Sequence, residues 1–155
     1  MTDQRMKTGD AERSESARAK TYWLSYGAGV NSTALLILLA TGKLPQYTPF
    51  RVLFSDTKTE RPETYSYLGR ITTWASEHGV TIETCYPKEG VLERWKRLSV
   101  CGNRMMRACT VEAKIRPMER YLKEHGTKED PNLIGIHAGE SHRAKPAYPN
   151  ERTRL

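Results

Sequence analysis

Apolar residues occur along this chain either in short continuous runs or at helical spacing, and the two patterns alternate. The continuous runs predict four strands, at residues 22–26, 51–55, 80–85 and 132–137. Helical spacing predicts helices at 32–40, from 62 to a stop at Gly79, at 91–95, and from 110 to Gly126. Pro117 must begin a new segment or kink the last helix. Strands alternating with helices predict an α/β fold, with a mainly parallel sheet, right-handed crossovers and helices on both faces.

The first 20 residues are polar and lack sustained apolar periodicity, so we expect residues 1–20 to form a flexible leader or one marginal helix. Residues 21–155 are of a length that suits one domain. The cysteine count is odd, at three, and no apolar signal segment opens the chain. These features predict reduced thiols and a cytoplasmic location. No apolar run approaches the roughly 20 residues that cross a bilayer, so we expect no membrane partner.

Between the first strand and the first helix lies a glycine-rich stretch, Ser25-Tyr26-Gly27-Ala28-Gly29-Val30-Asn31-Ser32-Thr33. Glycines let the backbone approach a ligand closely, and the first N–H groups of the helix lack partners within it. The stretch therefore predicts a phosphate cradle, built from its backbone N–H groups with the hydroxyls of Ser32 and Thr33. An ordinary glycine turn with Ser32 or Thr33 as N-cap is the alternative. The spacing fits neither a Walker loop nor the dinucleotide fingerprint.

Polar segments also follow the second and fourth predicted strands, at residues 56–64 and 139–143. Ligands bind at the carboxyl ends of strands in parallel sheets, so we expect these segments to meet the glycine-rich stretch in space. The net charge of +7 is compatible with an anionic partner. A nucleotide with several phosphates and a nucleic acid are both compatible with that charge, and the sequence does not distinguish between these two partners.

Four segments together resemble the phosphoadenosine phosphosulfate (PAPS) reductase family, which belongs to the pyrophosphatase-loop class and the adenine nucleotide alpha-hydrolase-like superfamily. The glycine-rich stretch resembles the loop SGGxDS of that class. The other three segments resemble the family patterns DTG-x-E-x-PET-Y, R-x-C-T-x-x-x-K-x-x-P and G-x-x-x-x-E-S-x-R. The matching residues are Asp56, Thr57, Glu60, Pro62, Glu63, Thr64 and Tyr65; Arg107, Cys109, Thr110, Lys114 and Pro117; and Gly135, Glu140, Ser141 and Arg143.

The resemblance implies a Rossmann-like (HUP-type) three-layer α/β/α fold that binds an adenine nucleotide, ATP or PAPS. The implied chemistry is reduction of an activated sulfate or attack at the alpha-phosphate of ATP. Nucleotide contacts are then expected at Ser25, Tyr26, Gly27, Gly29, Asn31, Ser32, Thr33, Asp56, Thr57, Glu60, Glu140 and Ser141. Lys114, Arg107 and Arg143 are the candidate catalytic residues, placed to neutralise charge on a leaving phosphate or sulfite. Asp56 and Glu60 are candidates for binding a ribose hydroxyl or Mg²⁺.

The chain departs from the family pattern within the glycine-rich stretch and after the second strand. Gly27 replaces a serine, Ala28 a glycine and Asn31 an aspartate, and this last change removes a carboxylate that would bind a metal. Lys58 replaces the glycine of DTG, so the turn there must avoid a positive φ or adopt it under strain.

The cysteines also depart from the family pattern. The sequence ends at Leu155 without the ECG-type cysteine of sulfonucleotide reductases, so we expect either a fragment, truncated at its C-terminus, or a minimal form. A thiol donor protein is then a candidate partner. An iron–sulfur cluster usually needs four thiolates and this chain has three cysteines, so we expect none from this chain alone. Cys101 and Cys109 are either ordinary cysteines, a redox pair or metal ligands shared between subunits.

Three functions remain open from the sequence. The first is a PAPS reductase-like enzyme domain acting on ATP or an activated sulfate. The second is ATP-dependent sulfur transfer to a nucleic acid, and the third is a nucleotide-binding module without catalysis. The sequence leaves homo-oligomer formation open.

Overall fold

Strands and helices alternate along the chain, as the apolar pattern predicts. The structure, a computed structural model, describes residues 20–99 and 108–140, so almost all of the predicted leader lies outside it. The elements are β1 Tyr22–Tyr26, α1 Val30–Ala40, a 3₁₀ turn Pro45–Tyr47, β2 Phe50–Ser55, α2 Pro62–Glu77, β3 Ile82–Cys85, α3 Val91–Leu98, α4 Ala108–Thr110, a π turn Val111–Ile115, α5 Arg116–His125 and β4 Asn132–Ile134.

The four strands form one parallel sheet in the order β3-β2-β1-β4. β1 is central, and its Ser25 lies opposite Leu53 of β2 and Ile134 of β4. The chain moves from β1 outward to β2 and β3, then crosses to the other side of β1 to form β4. This reversal creates a crevice beyond the carboxyl ends of β1 and β4, which is where open α/β sheets bind ligands.

Both faces of the sheet are covered by helices, which explains why its strands are continuous apolar runs. On one face, Leu24, Tyr26, Val52, Phe54 and Leu133 pack with apolar residues of α1 and α2. On the other face, Trp23, Leu53 and Cys85 pack with Met118, Tyr121 and Leu122 of α5. The predicted three-layer α/β/α fold is confirmed.

A polar cluster joins α5 to the second face. Arg51 donates two hydrogen bonds of 2.6 Å to the carboxylate of Glu83, and its guanidinium lies 4.3 Å from the centre of the Trp23 ring. Tyr121 donates its hydroxyl to the same carboxylate at 2.6 Å, and this bond is the main reason that the pKa of Tyr121 is raised. The Arg51–Glu83 ion pair and the hydrogen bond from Tyr121 together link β2, β3 and α5, so they hold the helix against the sheet.

Two element boundaries differ from the predictions because of glycines. α1 begins two residues early, at Val30, because Gly29 rather than Ser32 or Thr33 is the N-cap. β4 ends at Ile134 and does not reach His137. A Cβ at Gly135 would lie 2.7 Å from backbone atoms of Asn31 and Ser32, so the chain leaves the sheet where it passes the start of α1.

Pro117 is accommodated by a π turn within a helix that runs continuously from Ala108 to His125. The N–H of Arg116 donates to the carbonyl of Val111, five residues back, just before the proline. Of the two alternatives, a new segment that begins at the proline is closer to the structure than a kink, since α5 has Pro117 in its first turn. Among the helices of residues 20–99 and 108–140, none is both long and apolar enough to span a membrane.

Candidate functional site

The first loop, Gly27–Gly29, connects β1 to α1 at the carboxyl edge of the sheet. The first N–H bond within the helix is donated by Thr33 to the carbonyl of Gly29, at 3.0 Å. The N–H groups of Val30, Asn31 and Ser32 precede it and have no acceptor within α1. No acidic residue lies in the first turn of α1, so the positive end of its dipole is not neutralised there.

The hydroxyl of Ser32 organises the first loop. Its Oγ accepts the N–H groups of Gly27 and Gly29, both at 3.3 Å, and donates to the carbonyl of Gly29 at 3.1 Å. The Ser32 hydroxyl is therefore bonded to the loop itself, and the N–H groups that remain without an acceptor in the helix are those of Val30, Asn31 and Ser32. Ala28, at the loop centre, has a φ of 53°, in the left-handed region that costs a non-glycine residue about 1–2 kcal/mol.

Thr33 points inward, beneath the loop. Its Oγ1 lies 3.1 Å from the hydroxyl of Tyr26 and accepts the hydroxyl of Tyr67 at 3.0 Å. Burial raises the pKa of Tyr26 to about 12, so this phenol stays neutral at physiological pH. Ser25 is similarly engaged, because its hydroxyl donates to Oδ1 of Asn132 at 2.7 Å across the β1–β4 pair. These side chains support the first loop from the interior of the protein.

The second loop, Asp56–Arg61, follows β2, next to the first loop. Oδ1 of Asp56 accepts the N–H of Lys58 and the hydroxyl of Tyr65, both at 2.8 Å. Lys58 has a φ of 59°, so the turn adopts the positive φ under strain, the second of the two options that the sequence left. Its ammonium lies 5.6 Å from the ring centre of Tyr86, at the end of β3.

Lys114 joins the second loop from the π turn. Its Nζ lies 2.9 Å from Oε1 of Glu60, and the same oxygen accepts the hydroxyl of Thr57 at 3.1 Å. Thr57 is buried, whereas the side chain of Lys114 is 44% exposed. Two segments that lie more than fifty residues apart in sequence thus meet at one carboxylate.

The crevice at the sheet reversal is bounded by the first loop and by the segment that follows β4. Gly135 packs against the start of α1, and a turn then follows in which Glu140 donates its N–H to the carbonyl of His137 at 2.8 Å. Both loops therefore lie at the carboxyl edge of the sheet, where Lys114 contacts the second loop and Gly135 contacts the helix start beside the first. Arg107, Ser141, Arg143 and Cys101 lie outside the described residues.

Cys109 accepts a hydrogen bond from Nε1 of Trp95, with 3.1 Å between nitrogen and sulfur. Cys85 is buried at the end of β3, and this burial raises the pKa of its thiol. Within residues 20–99 and 108–140, no three His, Cys, Asp or Glu side chains are grouped to hold a metal ion.

Sequence reasoning missed Tyr67 and Asn132, which hold Thr33 and Ser25. A signal existed for Thr33, since it precedes the buried Leu36 by three residues and so shares the inner face of α1. The partners themselves had no signal, because Tyr67 comes from α2 and Asn132 from β4, both distant in sequence.

The family comparison agrees with this arrangement. A family model described as the phosphoadenosine phosphosulfate reductase domain matches residues 21–154, a stretch that includes all four resembling segments. No curated protein matches the chain. The chain therefore belongs to the phosphoadenosine phosphosulfate reductase family, a family of nucleotide-binding domains.

Proposed function

We propose that this chain binds an adenine nucleotide at the carboxyl edge of its sheet and acts on ATP or an activated sulfate at the phosphate or sulfate group. One observation carries the proposal: the start of α1, with three N–H groups unused by the helix and no acid in its first turn, opens beside the crevice at the sheet reversal. Family membership supports a nucleotide as the ligand.

In this proposal, phosphate or sulfate oxygens accept the N–H groups of Val30, Asn31 and Ser32. Ser32 and Thr33 contribute through the shape of the loop, because both hydroxyls are bonded within the protein. Lys114 supplies the positive charge for the leaving group, together with Arg107 and Arg143. Glu140 and Ser141 are further nucleotide contacts in this proposal, by the family pattern.

Asp56 contacts the ribose in this proposal. Its Oδ1 is occupied by Lys58 and Tyr65, which leaves Oδ2 as the acceptor for a ribose hydroxyl. The described residues offer no preformed group of three metal ligands, so Mg²⁺ would enter bound to the phosphates of ATP.

The two reactions have different products, and this makes them separable. Reduction of PAPS takes two electrons from a dithiol, cleaves the sulfur–oxygen bond, and releases sulfite and the adenosine bisphosphate while the dithiol becomes a disulfide. Attack on the alpha-phosphate of ATP breaks the bond to the beta-phosphate and releases pyrophosphate.

The test is a turnover assay with ATP and with PAPS that measures pyrophosphate and sulfite. Sulfite that depends on an added dithiol supports reduction, whereas pyrophosphate that depends on added nucleic acid supports thiolation of that acceptor. Tight nucleotide binding without either product means a binding module and contradicts the enzymatic part of the proposal. Failure to bind either nucleotide contradicts all of it.

A further inference from the structure

Ser55, the last residue of β2, makes a buried hydrogen bond to the helix that carries Lys114. Its Oγ donates to the carbonyl oxygen of Ala113 at 3.0 Å. Ser55 and Ala113 are 4% and 3% exposed, so water does not replace this bond readily. The contact links the strand that leads into the second loop with the π turn.

The carbonyl of Ala113 needs this donor because of Pro117. In an α-helix the N–H of the residue four positions later would donate to it, but proline has no N–H. Pro117 is buried and has Arg116 before it, whose N–H already donates to Val111. The Ser55 hydroxyl therefore donates to a buried carbonyl whose α-helical partner, Pro117, has no N–H to give.

Lys114 directly follows Ala113, so the bond fixes the backbone from which its side chain extends. At the other end, the Lys114 ammonium meets Glu60, which Thr57 holds by the same carboxylate oxygen. Ser55 and Thr57 are two residues apart at the end of β2. One strand end thus constrains Lys114 twice, through its backbone and through its ion pair.

We propose that Ser55 is a positioning residue for Lys114: its hydroxyl maintains the π turn and so sets where the Lys114 ammonium meets an anionic phosphate or sulfate. The identity of the ligand rests on the proposed function above. The positioning itself is a property of the ligand-free protein and is tested without any ligand.

The first experiment measures the rate at which an amine-acetylating reagent labels Lys114, read by mass spectrometry of the peptides. Ser55→Ala is compared with Glu60→Gln, which removes the ion pair directly, and with Thr73→Ala. Thr73 is the matched control because its hydroxyl also donates to a helix carbonyl, that of Gly69 at 3.2 Å, but in α2. Lys123, exposed on α5, is the internal reference.

Loss of a partly exposed ion pair should raise the labelling of Lys114 by up to about 5-fold. We expect Ser55→Ala and Glu60→Gln to give similar increases, with Thr73→Ala and Lys123 unchanged. An increase in Glu60→Gln but none in Ser55→Ala overturns the proposal. If Ser55→Ala does not fold, Ser55→Cys replaces it: the weaker S–H donor should give a smaller increase, and an unchanged rate again overturns the proposal.

The second experiment measures binding of inorganic pyrophosphate in a double-mutant cycle of Ser55→Ala and Lys114→Met. Ser55→Ala should weaken binding about 3- to 10-fold when Lys114 is present and have no effect when it is absent. Equal weakening in both backgrounds would mean a general structural role and would overturn the proposal. Failure of the unmutated protein to bind pyrophosphate contradicts the anion site of the proposed function and not the positioning by Ser55, which the labelling result then decides.

Discussion

The loops that follow β1 and β2 lie side by side at one edge of the sheet, but they differ in which of their polar groups are hydrogen-bonded within the protein. The first loop leaves backbone donors of α1 without acceptors in the helix, and the hydroxyl of Ser32, in the first turn of α1, holds the loop together. In the second loop, the side chains of Asp56, Thr57 and Glu60 are all bonded. The first loop therefore leaves backbone donors at a helix start, which suits the anion site that we propose there, whereas the second loop holds its own side chains in place.

The helices that start after the two loops show the same contrast. α1 has Gly29 as N-cap and no acid in its first turn. α2 has Pro62, which lacks an N–H, and Glu63 in its first turn, so fewer donors and a negative charge face any anion. In α3 the carboxylate of Glu93 accepts the N–H of Gly90 at 3.1 Å. Of these three helices, α1 is the one without an acidic residue in its first turn.

The sharpest way to break this comparison is to obstruct the first loop. A Cβ at Gly29 meets no atom within 4 Å, and its φ of −97° suits any residue, so Gly29→Val should fold normally. Its branched side chain would occupy the space next to the N–H groups. Losing two hydrogen bonds to a charged ligand should weaken nucleotide binding about 100-fold or more.

Gly69→Val is the matched control for this change. Gly69 lies on the exposed side of α2, where a Cβ also meets no atom within 4 Å. Calorimetric titration with ATP and PAPS should show wild-type affinity for Gly69→Val. Unchanged affinity in Gly29→Val would mean that the ligand does not use the first loop.

A second test removes the cation that the second loop holds. Lys114→Met keeps the length of the side chain and removes its charge. Binding of an anionic nucleotide should therefore weaken about 10- to 100-fold. The Lys114 side chain is 44% exposed, and loss of its pair with Glu60 should change the free energy of unfolding by no more than about 1 kcal/mol.

Lys123→Met serves as the control for Lys114, since Lys123 is exposed near the end of α5. Titrations and urea unfolding of both variants separate charge at the site from charge in general. Equal losses of affinity in the two variants would contradict a specific role for Lys114.

A third test measures the effect of Tyr26, which supports the first loop from the interior, on stability at high pH. The pKa of Tyr26 is raised to about 12, above its ordinary value of 10 in the unfolded chain, because the phenol is buried. Between pH 10 and 12 the unfolded state has lost this proton and the folded state keeps it. The free energy of unfolding should therefore fall with rising pH by about 1.4 kcal/mol per unit in that window, and this contribution is complete below pH 10.

Tyr26→Phe isolates that contribution from other groups that titrate at high pH. At pH 7 the variant should be less stable by about 1 kcal/mol, because it loses the hydrogen bond to Thr33. Urea unfolding at several pH values should show this difference shrinking above pH 10 and changing sign before pH 12, because a loss of about 1.4 kcal/mol per unit across that window exceeds it. A constant difference up to pH 12 would contradict the raised pKa.

The sequence predicted the features that residues close together in the chain determine, and it missed those that depend on contacts between distant segments. Strands buried on both faces are visible as apolar runs, so β1 and β2 were predicted within one residue. Through the family pattern the sequence also named Lys114 as a candidate catalytic residue, but it did not predict the pair that Lys114 makes with Glu60. It did not predict the π turn, because the effect of Pro117 depends on a hydroxyl from β2, some sixty residues earlier.

The end of β4 shows the same limit. The apolar run continues to Ile136, and so the predicted strand was too long. What ends it is the approach of Gly135 to the backbone of Asn31 and Ser32, a contact between segments about a hundred residues apart. Local pattern carries no information on such an approach.

The smallest expected effect concerns strain, which the two loops share. Ala28 and Lys58 both have a positive φ, where glycine is favoured. Ala28→Gly should raise the free energy of unfolding by up to about 1 kcal/mol, after the entropy cost of a new glycine. Lys58→Gly should gain less, because it also removes the cation–π contact with Tyr86.

Urea unfolding of the two variants measures this difference directly. A larger gain for Lys58→Gly would mean that the contact with Tyr86 contributes nothing and that the second loop holds the greater strain. The expected order instead places the less compensated strain in the first loop, where only the methyl group of Ala28, packed against the core, offsets it. Strain in the first loop would then coincide with the part of the molecule proposed to hold the anion.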